Sequence, residues 1–194
     1  MGQGMFWVSI LLFVATVTVV FFWIWLVEYL WCAFIKHQAP CVASSGNLKR
    51  ETVRVIRQFY PDTKHIIEIG SGHGGLARYV ARRTGANVIA VENMPFAAMI
   101  SKIGDCFCMA KSKTLWVDAF DYLDKTDKKF DVAIAYLGPR LTPKLTKHKN
   151  KIKVLITMDF EIGEMVPVRI IDLKRGSVTY NNKKYPHKLF VYEF

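Results

Sequence analysis

The first 35 residues form an apolar segment that differs from the rest of the chain. From Met5 to Val27 the sequence runs for 23 residues without a charged side chain and is rich in Val, Phe, Ile, Leu and Trp. At ~1.5 Å of rise per residue, a helix of this length can cross a hydrocarbon core of ~30 Å. A cleaved signal peptide would have a basic start and a shorter apolar region, and a buried core helix would need all of its faces covered. The pattern therefore predicts a transmembrane anchor within residues 1–35.

The residues that flank this segment predict its orientation. Aromatic rings favour the membrane–water interface, and four of them cluster towards the C-terminal end: Trp23, Trp25, Tyr29 and Trp31. Nothing basic precedes the segment, whereas basic residues follow it: Lys36, Lys49, Arg50, Arg54 and Arg57. The positive-inside rule therefore predicts a single-pass membrane protein whose domain lies on the cytoplasmic side of a bacterial inner membrane, or on the matrix side in an organelle.

An amphipathic pattern begins at Leu48, beyond the apolar segment. Val53, Ile56 and Phe59 recur at helical spacing and Tyr60 follows them, which predicts a helix. The opposite face carries three arginines: Arg50, Arg54 and Arg57. This basic face could lie near anionic lipid headgroups, or it could simply be solvated.

Beyond a basic juxtamembrane segment and helix of residues 36–60, residues 61–194 are predicted to form one α/β domain. Apolar runs of strand length alternate with helical patterns there, which is typical of a doubly wound, mainly parallel sheet. The predicted strands lie near 66–69, 87–91, 113–117, 130–135 and 152–158.

A glycine-rich turn follows the first of these strands. It reads Gly70-Ser71-Gly72-His73-Gly74-Gly75, and the next strand ends in Glu92, which is 22 residues beyond Gly70. Strand, glycine turn, helix, strand and acid in this order form a nucleotide-binding βαβ unit. Glycines let the backbone approach a ligand closely, and a carboxylate at the end of the second strand can accept both hydroxyls of a ribose.

Charge narrows the choice of partner, and the cysteines argue against a metal. The 27 basic residues all lie at Lys36 or later with 15 of the acids, so this part of the chain has a net charge of +12. Such a charge suits a membrane surface or a nucleic acid. The basic residues are scattered over the domain, and this scatter, together with the anchor, favours an anionic lipid surface over nucleic acid.

The four cysteines lack metal-ligand spacing, so we expect free thiols and no metal: Cys32, Cys41, Cys106 and Cys108.

The glycine turn also separates nucleotide classes. Dinucleotide-binding folds usually read Gly-x-Gly-x-x-Gly, whereas here Glu68 precedes glycines at 70, 72 and 74. This pattern resembles the first motif of the class I S-adenosylmethionine-dependent methyltransferases. The resemblance implies S-adenosyl-L-methionine as the cofactor and a Rossmann-like seven-stranded sheet with a terminal antiparallel pair, near 168–173 and 188–194. Tyr180-Asn181-Asn182-Lys183 is a turn signal before the last strand.

The same resemblance implies which residues bind the cofactor. Glu68 and the loop of Gly70, Ser71, Gly72 and Gly74 would surround the methionine moiety, and Glu92 would hold the ribose. Met94 would pack on the adenine, and Asp118 with the adjoining Ala119 would face the adenine amino group. Two of these positions have structural alternatives that stay open, because Asp118 could be a helix cap and Met94 a core residue.

Later segments resemble a narrower group, the small membrane-anchored lysine methyltransferases that act on the ATP synthase c subunit and the ADP/ATP carrier. The fourth strand ends in Tyr136-Leu137-Gly138-Pro139, with Lys144-Leu145 beyond it. Three further stretches agree with this group: 40–44, 157–160 and 189–194. The chain departs from the group at Cys41, His73 and Glu164. The resemblance implies a lysine of a membrane protein as the methyl acceptor.

Methyl transfer from a sulfonium depends chiefly on positioning the nucleophile. Acidic or phenolic groups at the pocket edge could orient an amine and accept its proton, and the candidates are Tyr136, Asp159 and Glu161. Asp159 and Glu161 could equally be solvated loop residues. Two other functions stay open: methylation of a small or lipid-like acceptor, and a non-catalytic membrane protein that binds the cofactor.

Overall fold

The chain divides into two compact units, Met1–Pro40 and Cys41–Phe194. The computed structural model describes residues 2–30, 44–163, 165–180 and 183–194. Several features used in the sequence analysis lie outside these ranges: Trp31, Cys32, Lys36, the stretch 40–43, Glu164, and the turn residues Asn181 and Asn182.

The described part of the first unit is a single helix, α1 (Gly2–Leu30). The segment Met5–Val27 is long and apolar enough to cross a membrane, and none of it is buried in the structure. The hydroxyls of Ser9, Thr16 and Thr18 donate to carbonyl oxygens one turn earlier, at 2.8–3.0 Å. The three hydroxyl groups of the span are therefore satisfied within the helix itself, as an apolar environment requires. The predicted helix is present, and its crossing of a membrane stays a prediction.

The second unit is a seven-stranded sheet with strand order β3-β2-β1-β4-β5-β7-β6. The first five strands are parallel, β7 is antiparallel to β5, and β6 is antiparallel to β7. The elements are α2 (Gly46–Phe59), β1 (His65–Ile69), α3 (Gly75–Thr84), β2 (Asn87–Glu92), α4 (Pro95–Phe107), β3 (Ser112–Trp116), α5 (Ala119–Lys125), β4 (Phe130–Ala135), a 3₁₀ helix (Thr142–His148), β5 (Ile152–Met158), β6 (Arg169–Tyr180) and β7 (Lys183–Glu193). This arrangement confirms the predicted fold class.

The last two strands are longer than the sequence predicted. Their ladder continues past an irregularity between Asp172 and Ser177 and ends at the pair Tyr180 and Lys183. The sequence pattern there is polar and lysine-rich, so it carries no apolar alternation that would have indicated strands.

Apolar layers cover both faces of the sheet. Consecutive residues of β1 show this, because Ile66 belongs to one layer and Ile67 to the other. Strands that are buried on both faces need apolar residues at every position rather than at alternate ones. This requirement explains why the central strands were readable as short apolar runs.

Helix α2 packs in the core of the second unit. Ser45 caps it by accepting a hydrogen bond from the Leu48 N–H, and Val55 and Ile56 are buried against the sheet. The compact unit therefore includes α2, whereas the sequence pattern placed the start of the domain at residue 61. The three arginines of its other face, Arg50, Arg54 and Arg57, are exposed, which is compatible with either interpretation of that face.

The strand order reverses at β1, whose neighbours are β2 and β4. A crevice for ligands forms at such a switch point, outside the carboxyl ends of the parallel strands. Strand β7 runs the other way, with Leu189 opposite Met158. The residues just before Leu189, His187 and Lys188, therefore lie at the same edge of the sheet as the ends of β1, β4 and β5.

Candidate functional site

The turn between β1 and α3 has the tight geometry that its glycines predict. Gly70, Gly72 and Gly74 have φ angles of 71°, 54° and 67°, in the left-handed region. A Cβ at Gly74 would lie 2.0 Å from the Ser101 Oγ atom. The backbone N–H of Ser71 donates to the Val91 carbonyl at 3.0 Å, which ties the turn to the end of β2.

Glu92 holds this turn from the neighbouring strand. Its side chain is 5% exposed; one carboxylate oxygen accepts the Gly72 N–H at 2.7 Å and the other accepts the Met94 N–H at 2.9 Å. Each oxygen can accept a further hydrogen bond, so the predicted contact with a ribose remains compatible with this geometry. The structure adds a second role for Glu92, which is to fix the glycine turn.

Two buried polar atoms in and beside this turn lack hydrogen-bond partners within the described part of the chain. The Glu68 Oε2 and Ser71 Oγ atoms are buried and make no hydrogen bond, although buried polar atoms are almost always paired. Lys49 of α2 reaches the same place, because its Nζ atom lies 3.1 Å from where a Cβ of Gly75 would be. The turn therefore presents an acid, a hydroxyl and a cation that a polar ligand could satisfy.

Burial changes the protonation of Glu68. Removal from water raises the pKa of its carboxyl to about 8, and the nearby Glu92 carboxylate contributes to the rise. A backbone hydrogen bond from Ala77 and the charges of Lys49 and Arg78 oppose it. An ammonium group placed against Glu68 would lower this pKa again and favour the carboxylate.

We expect Glu68→Gln to flatten the pH dependence of stability. The folded protein retains a proton that the unfolded chain releases near pH 4.5, so the Glu68 contribution to the free energy of unfolding should fall between pH 4.5 and about 8. The steepest fall is about 1.4 kcal/mol per pH unit. Denaturant unfolding in detergent at pH 5 and pH 8 measures it, with Glu161→Gln, a change at an exposed acid, as the control. If the free energy of unfolding depended on pH in the same way for the wild type and Glu68→Gln, Glu68 would not have a raised pKa in the folded protein.

The residues predicted to meet an adenine lie at the ends of β2 and β3. Asp118 caps α5, with its Oδ1 atom accepting the N–H groups of Phe120 and Asp121 at 2.9 and 3.2 Å. The helix-cap alternative for Asp118 is thus what the structure shows, and its contact with adenine stays a prediction. Met94 is half-buried at the start of α4 and belongs to neither apolar layer.

Two further residues complete this side of the site. Ala119 is the first residue of α5. Trp116 pairs with Glu92 across the strands, is 60% exposed, and donates its indole N–H to the Asn93 carbonyl at 3.2 Å. The sequence alone did not single out Trp116, whose place beside Glu92 depends on the pairing of β2 with β3.

The acceptor-side candidates do not all come together. Tyr136 follows β4 and Asp159 follows β5, so both lie at the carboxyl edge of the parallel strands. Burial, followed by the charge of Asp159, raises the pKa of the Tyr136 hydroxyl well above its usual range. Glu161 lies two residues further along the loop with an exposed side chain, and none of the described hydrogen bonds joins it to this pair.

His187 is the residue of this cluster that the sequence did not reveal. Its Nδ1 atom lies 2.9 Å from both carboxylate oxygens of Asp159. The contact depends on the antiparallel pairing of β5 with β7, which places Lys188 opposite Asp159 through the Asp159 N–H and the Lys188 carbonyl at 2.9 Å. An isolated histidine in a lysine-rich stretch gave no sign of this.

Seven strands in this order, with one reversed strand and a glycine turn at the switch point, define the class I S-adenosylmethionine-dependent methyltransferase fold. The chain is similar to an RNA methyltransferase from Salinibacter ruber crystallised with S-adenosyl-L-homocysteine: TM-score 0.63, 17% identity, 78% of this chain and 93% of that one. It is also similar to the O-methyltransferase TomG from Streptomyces achromogenes, which is involved in tomaymycin synthesis and was crystallised with SAM: TM-score 0.60, 14% identity, 87% and 88% coverage.

A third likeness is to precorrin-6y C5,15-methyltransferase from Geobacter metallireducens, with a TM-score of 0.60 and 14% identity over 79% of this chain and 91% of that one. No family model and no curated protein sequence matches the chain. At identities this low, the structural similarity establishes the fold and nothing finer. The three enzymes are named for different substrates, so the fold leaves the acceptor open.

Proposed function

We propose that this protein is a methyltransferase that α1 anchors in a membrane and that transfers a methyl group from S-adenosyl-L-methionine to a lysine of a membrane protein. The proposal rests chiefly on a group of polar residues at the switch point of a methyltransferase sheet, which we call the polar cradle: Lys49, Glu68, Ser71 and Glu92. Part of this group lacks hydrogen-bond partners. Glu68 and Ser71 each have a buried atom without a partner in the described chain, beside a turn in which a Cβ at Gly70 or Gly74 would meet neighbouring side chains.

The residues of this cradle fit the groups of the proposed cofactor. Glu68 suits an ammonium group, Lys49 a carboxylate and Glu92 a pair of ribose hydroxyls, all by charge and hydrogen-bonding capacity. When bound, the cofactor supplies a methyl group on a sulfonium. The protein's own task is then to hold the acceptor in line with that methyl group and to exclude water from the site.

We expect Lys49→Ala to weaken cofactor binding. Loss of a half-buried cation that pairs with a carboxylate should raise the Kd for S-adenosylhomocysteine about 5- to 10-fold, equivalent to about 1 kcal/mol. Arg57→Ala is the matched control, because it removes the same charge from an exposed position of the same helix; its Kd should change less than about 2-fold. Calorimetry at one ionic strength measures both. Equal effects of the two variants would argue against a direct role of Lys49.

The membrane part of the proposal rests on two features. The segment Met5–Val27 is uncharged, unburied and of spanning length, and the motif Tyr136-Leu137-Gly138-Pro139 resembles the membrane-anchored lysine methyltransferases. An enzyme held at a bilayer suits an acceptor that is itself in the membrane. The basic exposed face of α2 would then meet anionic headgroups, at about 1 kcal/mol per residue close to the surface.

The test is to incubate the purified full chain with radiolabelled S-adenosylmethionine and membranes from its source, and to separate protein, lipid and nucleic acid. Gly72→Arg, which places a long side chain in the glycine turn, is the inactive control. A protein band labelled by the wild type alone, with label on lysine, supports the proposal. Label in lipid would instead support a lipid-like acceptor, and label in nucleic acid would contradict both. Cofactor binding without any transfer would favour the non-catalytic alternative.

A further inference from the structure

Helix α4 is apolar on the side that faces away from the sheet. Small residues occupy its buried side: Ala97, Ala98 and Ser101. On the outward side Met99, Ile103 and Phe107 recur at intervals of four residues and are 41%, 50% and 85% exposed. We call these three residues the α4 stripe. Surface helices normally present a polar face to water, and a contiguous apolar surface marks a place of interaction.

The surroundings of the α4 stripe are basic. Met109, just past the end of the helix, is fully exposed, and Lys102 and Lys111 are exposed beside the stripe. The single acid between residues 95 and 113 is Asp105. It is 12% exposed and lies 3.5 Å from the Arg78 guanidinium, so no carboxylate of this segment faces outward beside the stripe.

The neighbouring helix α3 carries a cavity lined by arginines. The two helices are joined by Arg78, which donates to the Ser101 carbonyl at 3.0 Å, and by Arg82, whose Nη2 atom lies 3.1 Å from the Cys108 Sγ atom. Helix α3 contains no acid. A cavity of about 410 Å³ opens on its surface, which we call the arginine cavity, and its lining residues are Gly75, Arg78, Tyr79, Arg82 and Arg83.

Two of the three arginines are available to a ligand. Arg78 is engaged within the protein, because it also donates to the His73 carbonyl at 2.7 Å. Arg82 and Arg83 have exposed side chains, and neither forms an ion pair within the described chain. The Arg83 guanidinium lies 5.5 Å from the centre of the Tyr79 ring. Guanidinium groups match the geometry of phosphate oxygens, so the arginine cavity suits a phosphate group.

We propose that the outward side of α3 and α4 is a lipid-docking surface. The phosphate of an anionic phospholipid binds at Arg82 and Arg83, and the α4 stripe enters the interfacial layer of the bilayer. A bilayer presents phosphates and apolar chains side by side, which is what this surface matches. A nucleic acid would meet the arginines but leave the stripe without a partner.

This inference rests on the membrane placement in the proposed function and extends it to a defined surface. Helix α3 begins at Gly75, directly after the glycine turn, and α4 begins at Pro95, three residues after Glu92. Docking along these two helices therefore holds the cofactor edge of the sheet close to the bilayer. An acceptor on a membrane protein would be presented at the same level.

Lipid contact can be measured at Cys106, which is exposed and lies between Ile103 and Phe107. The full chain, with its other cysteines replaced by serine, carries a nitrobenzoxadiazole fluorophore at Cys106. It is reconstituted as a single chain per nanodisc of phosphatidylcholine and phosphatidylglycerol in equal amounts, so that a second copy cannot cover the stripe. The control carries the fluorophore at Lys125→Cys, an exposed position at the end of α5, a helix that packs on the other apolar layer through Leu123.

Doxyl-labelled lipid should quench the fluorophore at Cys106, and iodide should quench it at least about 3-fold less than at position 125. If iodide reached both positions equally and doxyl lipid quenched neither, the docking surface would be overturned. Shielding of Cys106 from iodide without quenching by lipid would mean that protein covers the stripe, and it would overturn the lipid assignment as well.

Charge variants test the arginine cavity. Arg82→Ala with Arg83→Ala should raise iodide quenching at Cys106 about 2-fold or more, and discs of phosphatidylcholine alone should do the same. Lys128→Ala with Lys129→Ala is the matched control, because it removes two exposed cations from the loop before β4; it should leave the quenching unchanged. Equal effects of the two pairs would overturn a phosphate site at the arginine cavity.

Apolar variants test the α4 stripe. Phe107→Ser with Met109→Ser should expose Cys106 to iodide as the arginine variant does. Val166→Ser, a change at another exposed apolar residue, should not. Unfolding midpoints should be unchanged in all of these variants, because every substituted side chain is exposed. Full shielding of Cys106 in the Phe107 and Met109 variant would overturn the role of the stripe.

Retention of the chain on the discs is measured separately by gel filtration. A chain that stays with the discs while Cys106 remains open to iodide would overturn the docking surface and leave the membrane anchor in place. A chain that separates from the discs would overturn the membrane part of the proposed function, and the docking surface with it. Methyl transfer is measured in a different assay, so its failure is distinguishable from both results.

Discussion

Gly74→Ala should abolish measurable cofactor binding and destabilise the domain, whereas Gly85→Ala should do neither to a comparable degree. Both glycines adjoin α3 and have left-handed φ angles, 67° and 76°. An alanine there costs about 1 kcal/mol from the backbone alone. The Cβ at position 85 meets nothing within 4 Å, but at position 74 it would lie 2.0 Å from Ser101 Oγ.

Ser101 cannot easily yield to that Cβ. Its Oγ atom shares a 2.6 Å hydrogen bond with Thr114 Oγ1, which in turn donates to Asp105. Overpacking a buried site typically costs about 1–3 kcal/mol. The total loss in the free energy of unfolding for Gly74→Ala should therefore reach about 3 kcal/mol.

Denaturant unfolding in detergent, together with calorimetric titration of S-adenosylhomocysteine, measures both effects. Gly85→Ala should lose about 1 kcal/mol of stability and bind with an unchanged Kd. Similar losses of stability and binding at the two positions would mean that backbone strain alone causes them. The contact of the turn with Ser101 would then have no special importance.

Glu92→Ala should raise the Kd for S-adenosylhomocysteine by about 100-fold or more. Glu92 accepts the N–H groups of Gly72 and Met94, and a hydrogen bond to a charged group contributes about 1.5–3 kcal/mol. Loss of both leaves two donors of the turn unpaired, which releases the conformation that the glycines adopt. Any direct contact with the cofactor is lost in the same change.

Glu92→Gln separates these contributions. Its amide oxygen can accept one of the two N–H groups, but its NH₂ group would face the other donor, so binding should fall between the wild type and Glu92→Ala. Asp127→Ala removes an exposed acid and serves as the control for charge, with less than about a 2-fold change expected. If Glu92→Ala bound as tightly as this control, Glu92 would have no part in the cofactor site.

Much of the fold could be predicted because its determinants are local in the sequence. The apolar runs at 66–69 and 130–135 identify strands because both faces of the sheet are covered, and the glycines at 70, 72 and 74 indicate a turn that side chains cannot enter. The place of Glu92 at the site could be predicted for the same reason, because it ends a strand 22 residues beyond Gly70.

The acceptor side could not be predicted in this way. His187 and Asp159 are 28 residues apart, and their contact depends on the antiparallel register of β7 against β5. The sequence offered both Asp159 and Glu161 as candidates, and only packing shows that the first is buried and bonded to His187 and Lys188 while the second is exposed.

The sequence by itself determined the apolar helix, the order of strands and helices, and the glycine turn with its two acids, because hydrophobic periodicity and backbone conformation act over a few residues. The tertiary structure alone decided that α2 joins the core and carries Lys49 to the turn, that Glu68 is buried with one carboxylate oxygen unpaired, and that His187 meets Asp159. These features arise between segments that are distant in the chain, where strand pairing and burial set the contacts and no local pattern records them.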